Sequence, residues 1–143
     1  MTIGQLALVV AAAFAGAAVY VSFVEHPARA FLDDRAQLTQ WKPSYARGAR
    51  MQASLALVGF ALGAAAWWLV RDWRWLAGAV ALLAGWPYTL LLIMPTNKAL
   101  KALSPAEAGQ TSRLLLERWG RLPLGRTALG VLATALFLWA AAA

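Results

Sequence analysis

Four long apolar runs restrict what this chain can fold into. They cover residues 3–24, 51–70, 75–94 and 124–142. Each is close to the roughly 20 apolar residues that a membrane-spanning helix needs. A segment in lipid must satisfy its own backbone hydrogen bonds, and no alternating barrel pattern is present, so the runs are predicted to be helices. We therefore predict an all-α fold, a four-helix transmembrane bundle, in a single domain over residues 1–143.

A skeleton of tyrosine, proline and leucine occurs twice at identical spacing. Its members are Tyr20, Pro27 and Leu32, and then Tyr88, Pro95 and Leu100. Each copy ends an apolar run and begins a polar segment. We interpret this as two repeats of span, helical loop and span, with both loops on one membrane face. Repeat interfaces in membrane proteins often hold a site, so the polar residues of the two loops are predicted to converge.

The distribution of positive charge predicts the orientation in the membrane. Of 13 Lys and Arg residues, eleven lie in or beside the first and third loops, and only Arg71 and Arg74 lie between the second and third spans. Cytoplasmic loops carry the excess of Lys and Arg. We therefore expect a multi-pass protein of the cell (inner) membrane, with loops 1 and 3 cytoplasmic and both termini outside. A basic face suits lipid headgroups, so membrane lipid is an expected partner and nucleic acid is not.

Small residues and a proline predict how the spans pack. Gly59 and Gly63 are four positions apart, a spacing that lets helix backbones approach closely. We expect this packing to be mainly intramolecular, although the sequence leaves a homo-oligomer open. Pro87, between Trp86 and Thr89, should kink the third span and open a small apolar pocket. An ordinary kink filled by side chains is the alternative.

A polar stripe ends the first span. Ser22, Glu25, His26 and Arg29 have the spacing of one helical face. Ionisable residues at a membrane boundary are costly, so a functional site is our hypothesis. Snorkelling, with Glu25 and Arg29 as a simple ion pair, is the alternative. The second repeat would add Thr96, Asn97 and Lys98 on the opposite side.

Cysteine and histidine counts exclude several kinds of site. The chain has no cysteine and one histidine, so thiol catalysis, iron–sulfur clusters and disulfides are excluded, and a zinc site is not expected. His26 and Met94 could be axial ligands of a haem. A methionine at helical spacing more often packs against other side chains. We therefore favour no metal and no cofactor, with haem as the alternative.

Five motifs follow one another along the chain. They are Phe23-Val-Glu25-His26-Pro27-Ala-Arg29, Trp41-x3-Tyr45-x-Arg47, Pro87-Tyr88-Thr89, Met94-Pro95-Thr96-Asn97-Lys98-x-Leu100 and Trp119-x6-Arg126-Thr127. Together they resemble the anthrone oxygenase-like family of small four-helix membrane proteins, over nearly the whole chain. That resemblance implies oxidation of anthrones to anthraquinones, as in characterised fungal members, without an obvious cofactor. It also implies a histidine after the tryptophan of the last motif, where this chain has Trp119-Gly-Arg-Leu122-Pro123.

The resemblance implies a membrane oxidoreductase that acts on a hydrophobic aromatic or phenolic molecule at the cytoplasmic end of the bundle. Formation of an enolate needs a base, and His26, held by Glu25, is the side chain whose ordinary pKa suits that role near neutrality. Asn97 and Arg29 would stabilise the enolate oxygen. The predicted walls of the pocket are Tyr20, Trp86, Tyr88, Thr96, Lys98, Trp119 and Arg126.

Enzyme activity stays open at this stage, because a second class of function fits the same residues. The alternative is a non-catalytic membrane module that binds lipid or a quinone-like ligand, or that supports a membrane partner. A basic face beside four apolar spans would serve either function.

Overall fold

Four long helices form a ring. The structure, a computed structural model, describes residues 2–143. Its long helices are α1 (Ile3–Arg29), α2 (Asp34–Val70), α3 (Trp73–Ala102) and α4 (Gln110–Ala141), all long and apolar enough to cross a membrane. Neighbours contact in the order α1, α2, α3, α4 and back to α1. The all-α four-helix bundle is therefore confirmed, with α1 and α3 on one diagonal.

The bundle has two different ends. The hairpin end contains both termini and the tight turn between α2 and α3. Arg71 ends α2 in a left-handed conformation (φ 57°), and Asp72 caps α3 by accepting a hydrogen bond from the Arg74 backbone N–H at 3.0 Å. The starts of α1 and α3 meet there, where Gly4 lies against the Trp75 ring. The opposite end, which we term the polar end, contains residues 25–50 and 95–126.

α1 and α3 each contain one π-helical turn near the polar end. The turns are Val21–Glu25 and Thr89–Ile93. In each, the residue that follows the turn donates its N–H to the carbonyl five positions earlier, from His26 to Val21 and from Met94 to Thr89. A π turn inserts an extra residue into a helix and is frequent at functional sites.

The prolines of the repeated skeleton explain where these turns lie. Pro27 and Pro95 are each the second residue after a π turn, in the first turn of the α-helical segment that follows. A proline ring crowds the carbonyl four residues earlier and lacks an N–H, and the wider π turn accommodates both effects. The two π turns are separated by the same number of residues as the two tyrosines, the two prolines and the two leucines of the skeleton. This supports the two-repeat interpretation, which stays a prediction.

Two cores hold the bundle together. In the membrane-spanning part of the bundle, glycines leave space for large side chains of neighbouring helices. A Cβ at Gly63 or Gly78 would lie 2.6 or 2.5 Å from the buried Phe137 ring. Gly59 leaves space for the Leu82 side chain in the same way. The core of the polar end is aromatic and aliphatic. Its buried members are Leu38, Trp41, Ile93, Leu100, Leu116 and Trp119. Helix α2 has 37 residues, more than the roughly 20 that span a bilayer, so it belongs to both cores.

Candidate functional site

A cavity of about 430 Å³ lies at the level where the two cores meet. We term it the larger cavity. Residues from α1, α2, α3 and α4 line it, and its apolar wall includes Ala17, Val21 and Ile93. Its aromatic and polar wall includes Tyr20, Glu25, Tyr45, Gln52, Trp119 and Arg126. A partly open space of this size, mostly apolar with a few polar groups, is typical of a small-molecule site.

A second cavity of about 190 Å³ adjoins the first. We term it the smaller cavity. Gly85, Trp86 and Thr89 line it, so a space is present beside Pro87, where the sequence predicted one. Trp86 is 38 % exposed, and the neighbouring wall residue Leu90 is 57 % exposed. This side of the smaller cavity therefore faces the outer surface of the bundle. Four residues line both cavities: Tyr45, Ala49, Gln52 and Arg126.

Arg126 projects from α4 into this shared wall. It lies beside Gly85 of α3, where a Cβ would make ordinary van der Waals contact with Arg126 Cγ at 3.6 Å. Its Nε is buried and, within residues 2–143, has no hydrogen-bond partner. The ion pairs found in that same part of the chain join other residues: Arg29 with Glu25, Arg74 with Asp72, and Arg113 with Asp34. The residue as a whole is half-buried. A partly buried guanidinium without an anion is costly, so it is suited to an anionic or polar ligand.

Gln52 adds an acceptor to the same wall. The residue is 4 % exposed, and its Nε2 donates to the Phe14 carbonyl at 3.3 Å. Its Oε1 is buried and has no partner in the described part of the chain. The wall therefore includes a donor group on Arg126 and an acceptor on Gln52.

Glu25 is held by a polar cluster at the rim of the larger cavity. Its Oε1 accepts from Arg29 Nη2 at 2.6 Å, from Gln40 Nε2 at 3.4 Å and from the Ser44 hydroxyl. Arg29 is 4 % exposed and also donates through Nε to Gln40. Every hydrogen bond that residues 2–143 give to Glu25 ends on Oε1, so its Oε2 has no partner in that part of the chain.

His26 does not occupy the expected place. Its Nδ1 lies 3.4 Å from Arg29 Nη1, and its ring centroid lies 5.6 Å from that of Trp119. Its Nε2 faces Gly120, where a Cβ would be only 2.0 Å away. We expected Glu25 to hold His26, but Glu25 binds Arg29, and His26 is absent from the walls of both cavities. An imidazole facing a backbone in this way is also not placed to bind a haem iron.

Asn97 is enclosed and links two aromatic residues. It has 0 % exposure. Trp119 Nε1 donates to Asn97 Oδ1 at 2.8 Å, and Asn97 Nδ2 donates to the Tyr45 hydroxyl at 3.0 Å. The Tyr45 ring stacks on Trp41, with centroids 4.9 Å apart and planes 9° apart. Asn97 therefore positions Tyr45, and the tyrosine lines the cavity in its place.

The remaining predicted wall residues divide into two groups. Tyr20, Trp119 and Arg126 line the larger cavity, and Trp86 lines the smaller one. Three others line neither: Tyr88, whose hydroxyl donates to the Leu122 carbonyl at 2.6 Å, Thr96, which is buried, and Lys98, which is exposed.

Sequence reasoning gave Ser44, Tyr45 and Gln52 no role in the site. Tyr45 appeared only as part of a motif, and Gln52 lies at the start of an apolar run. The signal that could have found them is their spacing, since residues three, four and eleven positions after Trp41 lie near one face of a helix.

Comparison with models of known protein families places most of the chain in a described family. A family model described as anthrone oxygenase matches residues 41–136. The matched segment contains Tyr45, Gln52, Asn97, Trp119 and Arg126, whereas Glu25 and His26 precede it. No curated protein and no solved structure matches the chain.

Proposed function

The chain belongs to the anthrone oxygenase family, and we propose that it binds a hydrophobic phenolic or enolisable aromatic molecule in the larger cavity and oxidises it with dioxygen. The observation that carries the proposal is the unpaired guanidinium of Arg126 inside an aromatic, largely apolar cavity. A phenolate or enolate oxygen would give that guanidinium its missing partner. Charge-assisted hydrogen bonds of this kind are stronger than neutral ones.

Glu25 is the base that the geometry favours. Its Oε1 is fixed by Arg29, Gln40 and Ser44, and its Oε2 would take a proton from the activated CH₂ group of the substrate. Arg126 would stabilise the enolate oxygen as the negative charge develops. His26 and Arg29 do not contact the substrate in this proposal. They orient the carboxylate of Glu25.

The reaction balances with dioxygen as the only oxidant. The enolate carbon forms a bond to one atom of dioxygen, and the terminal oxygen of the resulting peroxide anion takes up a proton to give a hydroperoxide. The hydroperoxide loses water and leaves a carbonyl group. In sum, CH₂ and O₂ become C=O and H₂O. The substrate supplies all of the electrons that dioxygen gains, so the balance requires no separate reductant.

A non-catalytic module that binds a lipid or quinone-like ligand is the second candidate. The observation in its favour is the smaller cavity, whose wall residues Trp86 and Leu90 are exposed on the lipid side. A ligand could therefore enter from the bilayer. This candidate predicts binding without consumption of oxygen.

The test uses the purified protein in detergent or nanodiscs with anthrone as the probe. Oxygen uptake and the absorbance of anthraquinone would be followed at a mildly acidic pH, where the spontaneous reaction is slow. Wild type should exceed the protein-free rate, and Arg126→Gln should lose about 100-fold in kcat, as for loss of an oxyanion donor. Arg118→Gln, an exposed arginine on the same helix, is the matched control. The proposal is wrong if the wild-type rate equals the protein-free rate, or if Arg126→Gln matches wild type.

A further inference from the structure

We infer that Tyr45 donates a hydrogen bond to the anionic oxygen of the ligand, and that Trp119 and Asn97 fix the direction of that bond. This inference rests on the proposed function and names a second group, beside Arg126, that recognises the ligand's oxygen. Tyr45 touches the ligand, whereas Asn97 and Trp119 are positioning residues.

The direction follows from the chemistry of three side chains. An indole N–H can only donate, and Trp119 Nε1 lies 2.8 Å from Asn97 Oδ1. The amide oxygen of Asn97 must therefore face Trp119, which leaves its NH₂ group 3.0 Å from the Tyr45 hydroxyl. An NH₂ group can only donate, so the Tyr45 oxygen must accept. Its single hydrogen is thereby left for another acceptor.

The cavities are where that hydrogen can go. Among residues 2–143 the Tyr45 hydroxyl donates to no acceptor, and Tyr45 lines both cavities. The ring itself is fixed, because Trp41 stacks on it and Lys101 Nζ lies 4.7 Å from its centroid. Only rotation of the hydroxyl about the C–O bond remains free, and the bond from Asn97 limits that rotation.

Arg126 makes this arrangement specific for an oxyanion. Arg126, whose Nε is buried without a partner, and Tyr45 both line the wall that the two cavities share. Two donors that converge on one position stabilise an oxygen that gains negative charge, in the manner of an oxyanion hole. The ligand oxygen would therefore lie between Tyr45 and Arg126, with the hydrophobic body of the ligand in the larger cavity.

The test measures binding of a dihydroxyanthraquinone, a product-type molecule whose absorbance shifts to the red on ionisation. Affinity would be followed by quenching of tryptophan fluorescence, and ionisation by the absorbance of the bound probe. Tyr45→Phe should weaken binding of the anionic probe about tenfold or more, as for loss of a hydrogen bond to a charged group. Tyr88→Phe is the control, because its hydroxyl bonds to the Leu122 carbonyl away from both cavities.

Asn97→Asp tests the direction of the bond. When protonated, the introduced carboxyl can accept from Trp119 and donate to Tyr45, as the amide does. When ionised, it can only accept, so Tyr45 would turn its hydrogen toward it and away from the ligand. Affinity should therefore be near that of wild type at low pH and fall as pH rises, with a midpoint that wild type lacks. A tyrosine with a merely structural role would not introduce such a midpoint.

The outcomes separate the two proposals. If wild type does not bind the probe, the proposed function and this inference both fail. If wild type binds it, but Tyr45→Phe binds equally well or folded Asn97→Asp follows the pH profile of wild type, only the inference fails. Folding of each variant is checked by size-exclusion chromatography and thermal unfolding. If Asn97→Asp does not fold, the affinity of Tyr45→Phe alone decides whether the inference holds.

Discussion

The imidazole of His26 occupies the space that a side chain at Gly120 would take. A Cβ built on Gly120 lies 2.0 Å from His26 Nε2 and 2.4 Å from its Cδ2. The ring cannot easily swing away, because Trp119 lies beside it and Arg29 Nη1 is 3.4 Å from its Nδ1. The glycine after Trp119 is therefore what allows α1 and α4 to meet at the polar end.

Gly120→Ala should destabilise the protein by about 1–3 kcal/mol, because overpacking forces side chains off their rotamers or shifts the backbone. The measurement is the free energy of unfolding in one fixed detergent. Gly16→Ala is the control, since a Cβ there meets nothing within 4 Å. Equal stability of the two variants would show that His26 can move away at little cost.

Proline chemistry made part of this structure predictable. The positions of Pro27 and Pro95 identified the two points at which an apolar helical segment becomes polar. Each proline proved to follow a π turn. The effect is local, since a proline acts on the carbonyl four residues before it. The four spans were predictable for a similar reason, because their length and apolar composition belong to continuous segments.

The direction of the Tyr45 hydroxyl could not be predicted in this way. It depends on Asn97, 52 residues away in sequence, and on Trp119, a further 22 residues along. A periodic pattern shows which residues share a face of one helix, but it does not show which residues of different helices contact each other at such separations. For the same reason the sequence assigned to His26 the role of base that we propose for Glu25. Both residues lie near one helical face, and only Gly120 on α4 shows which way the imidazole points.

The orientation in the membrane stays a prediction from charge, and single cysteines can test it. The chain has no cysteine of its own, so Ala106→Cys at the polar end and Ala143→Cys at the hairpin end each introduce one exposed thiol. From the excess of basic residues in loops 1 and 3 we expect the polar end to be cytoplasmic. A membrane-impermeant reagent should then label Ala143→Cys in intact cells and Ala106→Cys only after permeabilisation. The reverse pattern would overturn the orientation.

The turn at the hairpin end should respond to acid. The Arg74 side chain, and then its backbone N–H, hydrogen-bond the Asp72 carboxylate and hold the pKa of that carboxyl below its ordinary value. A lowered pKa contributes stability that is present above the ordinary value of about 3.9 and is lost as pH falls through the folded value. Unfolding curves of wild type and Asp72→Asn should therefore differ at neutral pH and converge below about pH 4. A constant difference at all pH values would contradict this assignment.

The Arg29 side chain should be needed for the fold as well as for the site. It is 3 % exposed, pairs with Glu25 at 2.6 Å and lies 5.7 Å from the centroid of the Trp119 ring. Arg29→Gln removes the cation and leaves a partly buried carboxylate without its partner, which costs about 3–5 kcal/mol when both groups are buried. Because Glu25 keeps 22 % of its side-chain exposure, we expect the lower end of that range.

Arg29→Lys should recover only part of this loss. An ammonium cannot donate to Glu25 and Gln40 in the planar arrangement of a guanidinium. Arg35→Gln, an exposed arginine on α2, is the control and should change stability by less than about 0.5 kcal/mol. The double variant Glu25→Gln, Arg29→Gln should be more stable than Arg29→Gln alone, because it no longer buries an unpaired charge. If Arg29→Gln proves as stable as Arg35→Gln, the pair is a surface contact and Glu25 is oriented by Ser44 and Gln40 instead.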